Sequence, residues 1–217
     1  MPALVWDKLD DRIYEYGVDH AVLFVRDAQG AYPKGVAWSG LSNVSEKPSG
    51  GEPKPIYADN IKYANIRSKE EFAASIEAYT YPKEFEECDG TASIAPGVTI
   101  TQQKRKTFGI SYRTAVGSDA DENLGYKLHL IYGCSAAPSE KPRSTVGEDI
   151  EPLKFTWEVT TTPVPVADAK PTSHLIIDSR TIDSGKMAEI EAILYGGMSE
   201  ARMPLPDEIA TLMTHTA

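Results

Sequence analysis

Residues 107–133 read TFGISYRTAVGSDADENLGYKLHLIYG, and this stretch decides the fold class. Its ends, 107–116 and 126–133, are rich in β-branched and aromatic residues, and the polar segment 117–123 lies between them. Strand-forming runs on either side of a polar turn predict an antiparallel hairpin, the clearest in the chain. Working outward, FTWEVTT at 155–161 alternates with a period of two, as a half-buried strand does. HLIID at 174–178 is a short apolar run of the buried kind. Nearer the N-terminus, RIYEYG (12–17) and HAVLFVRD (20–27) are β-rich runs separated by Gly17, Val18 and Asp19, which predicts a second hairpin. Val36, Trp38 and Leu41 mark a further strand.

Helical signals are fewer. KEFEEC (83–88) follows Pro82 and precedes Gly90, which predicts a short acidic helical turn. KMAEIEAILY (186–195) places Met187, Ile190 and Leu194 on one face and ends at Gly196 and Gly197, which predicts the main amphipathic helix. A last short helix is predicted over 207–213, with Asp207 and Glu208 in its first turn. Residues 70–81 are ambiguous: Phe72, Ile76 and Tyr79 have helical spacing, while Phe72, Ala74, Ile76 and Ala78 make a strand face. Residues 41–56 (LSNVSEKPSGGEPKPI) and 135–152 (SAAPSEKPRSTVGEDIEP) carry no core pattern and read as long loops, and Pro163, Pro165 and Pro171 punctuate a third connection. The sum is a mainly β chain: a β-sandwich or barrel with one flanking amphipathic α-helix and extended loops, in a single domain over 1–217.

Hydrophobic residues at 41% and charged residues at 25% are ordinary for a folded chain and argue against disorder throughout. The balance of 22 Lys+Arg against 32 Asp+Glu gives a net charge of -10, and a surface of that sign repels phosphate. Lys104, Arg105 and Lys106 therefore read as a solvated turn. Cys88 and Cys134 form no C-x-x-C pair, which excludes the usual zinc-ribbon and redox motifs and favours two thiols. The opening MPALVWD has no basic region followed by an apolar one, so it does not read as a signal peptide. Residues 21–25, the most apolar stretch, are too short to cross a bilayer. These features predict a cytoplasmically made protein with no membrane association.

No chemistry-bearing motif survives inspection. Of the four histidines, His20, His129, His174 and His215, none falls in an H-E-x-x-H or H-x-E pattern. His129 and His174 lie in apolar strand runs and read as wall residues. A G-x-S-x-G elbow is absent from the sequence. Gly30 and Gly35 have the spacing of a phosphate loop, but Val36 and Ala37 follow where Lys and Ser/Thr are required. Asp119, Asp121 and Asn123 begin like a calcium loop, yet Leu124 stands where glycine is needed and Leu130 where the bidentate glutamate is needed. Glu84, Glu86, Glu87 and Asp89 are neighbours on one turn, not two acids facing one cleft. Residues 6–16 and 57–63 interleave aromatics with acids, a pattern shared by carbohydrate-binding surfaces and β-cores. The expectation is a non-enzymatic protein with no catalytic residue, no cofactor and no metal.

Residues 59–90, DNIKYANIRSKEEFAASIEAYTYPKEFEECDG, resemble a stretch of the major tail proteins of siphophages, the long-tailed bacteriophages with non-contractile tails. The matching positions are Glu70, Glu77, Ala78, Tyr81, Pro82, Glu84, Phe85, Cys88 and Gly90. Near the C-terminus, Ile193, Leu194, Tyr195 and Gly196, followed by Met203, Pro204, Leu205, Pro206, Asp207, Glu208 and Ile209, are similar to that family's terminal pattern. Trp157, Val159 and Thr161 resemble a third family strand, with Pro163 offset by one residue. The likeness runs in order from about residue 36 to 212.

The resemblance implies a tail-tube fold, with residues 70–81 as a strand. It implies six-membered rings whose inner sheets join into a barrel, stacked into a tube through which DNA passes without specific binding. The partners are then other copies of the chain, a tape measure protein in the lumen, and terminator and distal tail proteins at the ends. The location is the virion tail, assembled in the host cytoplasm. Residues 41–56 are the expected protruding, stacking loop, with Asn43, Glu46, Lys47, Glu52 and Lys54 as its contact residues. A C-terminal arm over about 197–217 is the second expected contact. Glu15 and Asp19 are the expected lumen-facing acids, which would repel phosphate over roughly 8 Å at physiological salt. The competing expectations are a head-to-tail connector or terminator ring, a β-sandwich carbohydrate-binding module, and a hydrolase with its pocket around His129 or His174.

Overall fold

The structure is a computed structural model that describes Leu4, Trp6 and residues 12–147, 151–197 and 199–214. In chain order the strands are β1 (Ile13–Val25), β2 (Gly35–Ala37), β3 (Leu41–Glu46), β4 (Ser49–Gly50), β5 (Pro53–Ala58), β6 (Ile61–Arg67), β7 (Glu70–Glu71) and β8 (Ala73–Ala78). A 3-10 turn, Lys83–Glu87, leads to β9 (Ala92–Ala95), β10 (Val98–Ile100), β11 (Phe108–Ser118), β12 (Gly125–Ala136), β13 (Phe155–Thr161) and β14 (His174–Asp178). Two helices, α1 (Ser184–Tyr195) and α2 (Pro206–Thr214), follow. The main sheet runs β2-β1-β11-β12-β13-β8-β3, with β14 also paired to β12, and every pairing in it is antiparallel.

The hairpin read from residues 107–133 is the spine of this sheet. β12 is long enough to hold two partners along one edge, β14 against residues 127–131 and β13 against residues 134–136. The change of partner falls at Gly133, whose φ is +63° and where an added Cβ would lie 2.1 Å from the Thr162 carbonyl oxygen. Only glycine fits there. The β11–β12 register also shifts at this point, which reverses the facing of the residues beyond it. Leu128, Leu130 and Tyr132 enter one apolar cluster, Ile131 faces the other by simple alternation, and Cys134 and Ala136 join Ile131 because of the shift.

The two clusters make a layered molecule. The inner one lies between β1–β11–β12 and the returning strands β13, β8 and β3, and contains Leu23, Trp38, Ile76, Phe85, Phe108, Trp157 and both cysteines. Phe85, from the 3-10 turn, meets Trp38 at 4.6 Å and Trp157 at 5.0 Å between ring centroids. Phe85 and Cys88 are therefore core residues, with Tyr81 packed against them. The outer cluster is the opposite face of the sheet covered by helices, with Met187, Ile190 and Leu194 of α1 and Ile209 of α2 on Phe24, Leu128 and Leu130. Asp183 caps α1 by accepting from the N–H groups of Gly185 and Lys186. The fold is a mainly β sandwich with flanking helix, as the alternation predicted.

Three expectations need correction. The two runs read within 12–27 form one long strand, Ile13–Val25, not a hairpin: Gly17 (φ +67°) and His20 (φ +49°) sit in two bulges, and β11 pairs with β1 on both sides of them. Residues 41–56 are not a single loop, because Leu41–Glu46 pairs with β8 inside the main sheet. The projection begins beyond that strand. The short helix read over 207–213 is α2, and it packs against α1 and the outer cluster. The described part of the C-terminal arm is docked, with Met203 and Ile209 buried and Met203 N–H bonded to the Tyr32 carbonyl oxygen at 3.1 Å. Met198 and residues 215–217, including His215, lie outside the described residues. Among the described residues no helix is long and apolar enough to cross a membrane.

Candidate functional site

Two features stand apart from the packed body. The first is the β5–β6 hairpin. β4 and β7 pair at its neck, Ser49 opposite Glu71 and Gly50 opposite Glu70. Beyond the neck, β5 and β6 pair with each other and make no substantial contact with any other element. Asp59 and Asn60 close the turn with φ of +51° and +63°, the left-handed pair that suits the twist of a two-residue hairpin. Ile56, Tyr57, Ile61, Tyr63 and Ile66 are between 43% and 73% exposed on this arm. Five large apolar side chains on one projecting ribbon are a surface that water does not favour. The arm carries Lys54, Lys62 and Arg67 against the single acid Asp59, whereas the chain as a whole has a net charge of -10. A smaller hairpin, β9–β10, also exposes Ile94, Val98 and Ile100. The sequence singled out residues 57–63 without deciding between surface and core, and did not mark Ile56, Ile66, Ile94, Val98 or Ile100, because alternation marks a strand face without saying whether anything covers it.

The residues expected at the stacking loop divide between body and arm. Asn43 lies in the edge strand β3 and donates to Ser45 Oγ at 3.0 Å. Lys47, just past β3, pairs with Glu158 at 2.7 Å. Glu52 and Lys54 belong to the base of the hairpin. Glu46 turns inward to the second feature.

That feature is a polar cluster at the mouth of the inner core. His129 on β12 pairs in register with Ile176, and His174 on β14 pairs with Ile131. The two imidazoles are therefore diagonal neighbours on one sheet face. His129 Nδ1 lies 3.1 Å from His174 Nε2, and Glu46 Oε1 lies 3.6 Å from the first and 3.7 Å from the second. Tyr112 stacks on His129 with rings parallel to within 1° and donates its hydroxyl to Glu46 Oε1 at 3.1 Å. Phe72 covers His174 at 4.8 Å. The histidine side chains are 5% and 10% exposed and that of Glu46 is 37% exposed, so the cluster has histidine walls and a carboxylate at its opening. Burial pushes both imidazoles below their ordinary pKa, against the opposing pull of Glu46, so they are neutral near pH 7.

The two expected lumen acids fall on opposite faces of the sheet. Glu15 accepts from Thr114 Oγ1 and Lys127 Nζ, each at 2.5 Å, on the inner-core face beside His129. Burial raises its pKa, but the bonds from Lys127 and Thr114 outweigh this and hold it below the usual carboxylate value. Asp19 pairs with Arg113 at 3.0 Å, and Arg113 lies over the Tyr126 ring and near Glu191 of α1, on the helix face. The first bulge of β1, between Tyr16 and Asp19, causes this reversal. A channel wall made from one face of this sheet holds only one of the two.

No family model matches the chain, and no curated protein matches it.

Proposed function

We propose that the chain is a self-assembling structural subunit, the tail-tube protein of a long-tailed phage, which forms stacked hexameric rings around a conduit for DNA. The observation that carries this reading is the projecting β5–β6 arm, apolar and basic on an otherwise acidic chain. Such an arm is complementary to a second copy of the same subunit in both apolar surface and charge. The sheet adds open strand edges: the outer edge of β3, and the edge of β1 away from β11 along its N-terminal half, have no strand partner among the described residues. Exposed edges invite pairing with another chain, and closing a ring satisfies them. Tyr14 and Tyr16 lie partly exposed along that half of β1, where a neighbouring sheet would cover them. The ordered resemblance from about residue 36 to 212 points to the same family of assemblies. The net charge of -10 suits a passage through which phosphate must slide without sticking.

Negative-stain electron microscopy of the purified chain, with its mass in solution, tests this. Six-fold rings or tubes are the expected result. Rings that never stack would move the reading to a connector or terminator. A monomer at every concentration, unable to copolymerise with preformed tail initiation complexes, would overturn it.

A further inference from the structure

We infer that Glu46, His129 and His174 form a binding site for one divalent transition-metal ion of the Zn²⁺ class, ligated through Glu46 Oε1, His129 Nδ1 and His174 Nε2. The spacing is the first reason. Ligands on a tetrahedron with bonds of about 2.1 Å are separated by about 3.4 Å. The three separations here, 3.1, 3.6 and 3.7 Å, bracket that edge. One ion fits between the three atoms without moving the backbone, and water takes the fourth position on the exposed Glu46 side.

The outer contacts are the second reason. His129 Nε2 lies 3.0 Å from Thr114 Oγ1, and the Thr114 hydroxyl donates to Glu15, which Lys127 holds in place. The threonine proton is committed to the carboxylate, so its oxygen accepts from His129 Nε2–H. That fixes the tautomer with a lone pair on Nδ1, directed at the cluster. An imidazole oriented through its other nitrogen by a hydroxyl and a carboxylate is the usual support of a metal ligand. Tyr112 does the same for Glu46 by donating to its ligating oxygen. Two imidazoles with one carboxylate favour Zn²⁺ and its first-row neighbours over Ca²⁺ or Mg²⁺, which prefer all-oxygen shells.

Without metal, His174 Nε2–H donates to His129 Nδ1. On metal binding the neutral His174 ring takes the tautomer protonated on Nδ1, which frees the Nε2 lone pair, and two nitrogen–metal bonds replace the one hydrogen bond. The ion would tie the edge strand β3 to β12 and β14, clamping the open rim of the sandwich. The site stands independently of the tail-tube reading, since nothing in it requires a second subunit.

The test uses the full chain, free of any histidine tag and stripped of metal. Zn²⁺ is titrated in competition with a chromophoric chelator, and Co²⁺ is added separately to read coordination from its visible spectrum. The expected result is one Zn²⁺ per chain and the intense visible bands of four-coordinate Co²⁺. His174→Ala and the exposed Glu46→Gln should each lower affinity more than about 100-fold, and Thr114→Val about 10- to 100-fold. His20→Ala, on the other side of the sheet, should leave it unchanged. No Zn²⁺ uptake, uptake that survives both His174→Ala and Glu46→Gln, or a weak six-coordinate Co²⁺ spectrum would each overturn the assignment. The Co²⁺ spectrum is read on the unaltered chain, so a variant that fails to fold does not blunt the test.

Discussion

The Tyr32 hydroxyl accepts the backbone N–H of Gly133 at 2.8 Å, across 101 residues of sequence and inside the outer core. It satisfies the amide left over where β12 exchanges β14 for β13. Tyr32→Phe should leave that buried N–H unpaired and cost about 1–3 kcal/mol. Gly133→Ala should cost more, because its Cβ would overlap the Thr162 carbonyl in a backbone conformation that disfavours side chains. Urea unfolding of both variants checks the order.

Trp157 is fully buried among Trp38, Tyr81, Phe85 and Phe155, but its indole N–H has no hydrogen-bond partner among the described residues. Its stabilising role is therefore apolar. Trp157→Ala should cost about 3–5 kcal/mol, by lost transfer energy and a cavity. Trp157→Phe should cost much less, since no polar contact is lost with the indole. Equal losses in the two variants would show that the indole nitrogen matters after all.

Charges on the arm should separate assembly from folding. Ile61→Asp and Tyr63→Asp alter exposed positions, so the unfolding midpoint should change by no more than about 0.5 kcal/mol in stability. Ring or tube formation should be abolished in the same preparations. Normal tubes from the double variant would remove the arm from the interface.

Acid should weaken the subunit in two steps. His129 and His174 have folded-state pKa values depressed from 6.5 by burial, so the unfolded chain binds protons first as the pH falls. Their contribution is complete above about pH 6.5 and is lost as the pH drops through the lower folded values. Glu15, also depressed, from 4.5, adds a second loss below about pH 4.5. Stability followed by urea midpoint from about pH 7.5 to 5 should show the first loss, and a His129→Asn, His174→Phe double variant should flatten it.

Much of the frame was legible in the sequence. The alternation of residues 155–161, the apolar run 174–178 and the hairpin 107–133 became strands, and the Met187, Ile190, Leu194 face became the buried side of α1. Those segments have strong periodicity and clear punctuation. Residues 12–27 misled because Gly17 and the following polar pair resemble a turn, and only the pairing with β11 distinguishes a bulge from a reversal. Leu41–Glu46 misled because its residues are half-buried without alternation and Glu46 at its end is exposed, so the segment carries no core pattern. The cluster of Glu46, His129 and His174 was invisible for a different reason. Its members lie on three separate strands, and the diagonal meeting of the two histidines follows from the β12–β14 register, which no local pattern encodes.

The two cysteines of the inner core give the molecule a built-in reporter. Both thiols are fully buried, and burial pushes that of Cys88 to about 12 and that of Cys134 higher still. A thiol-modifying reagent meets almost no thiolate in the closed sandwich and must wait for the layers to part. The labelling rate thus times the opening of the subunit, and comparing free and assembled chains would reveal how far enclosure by neighbours slows the breathing of each one.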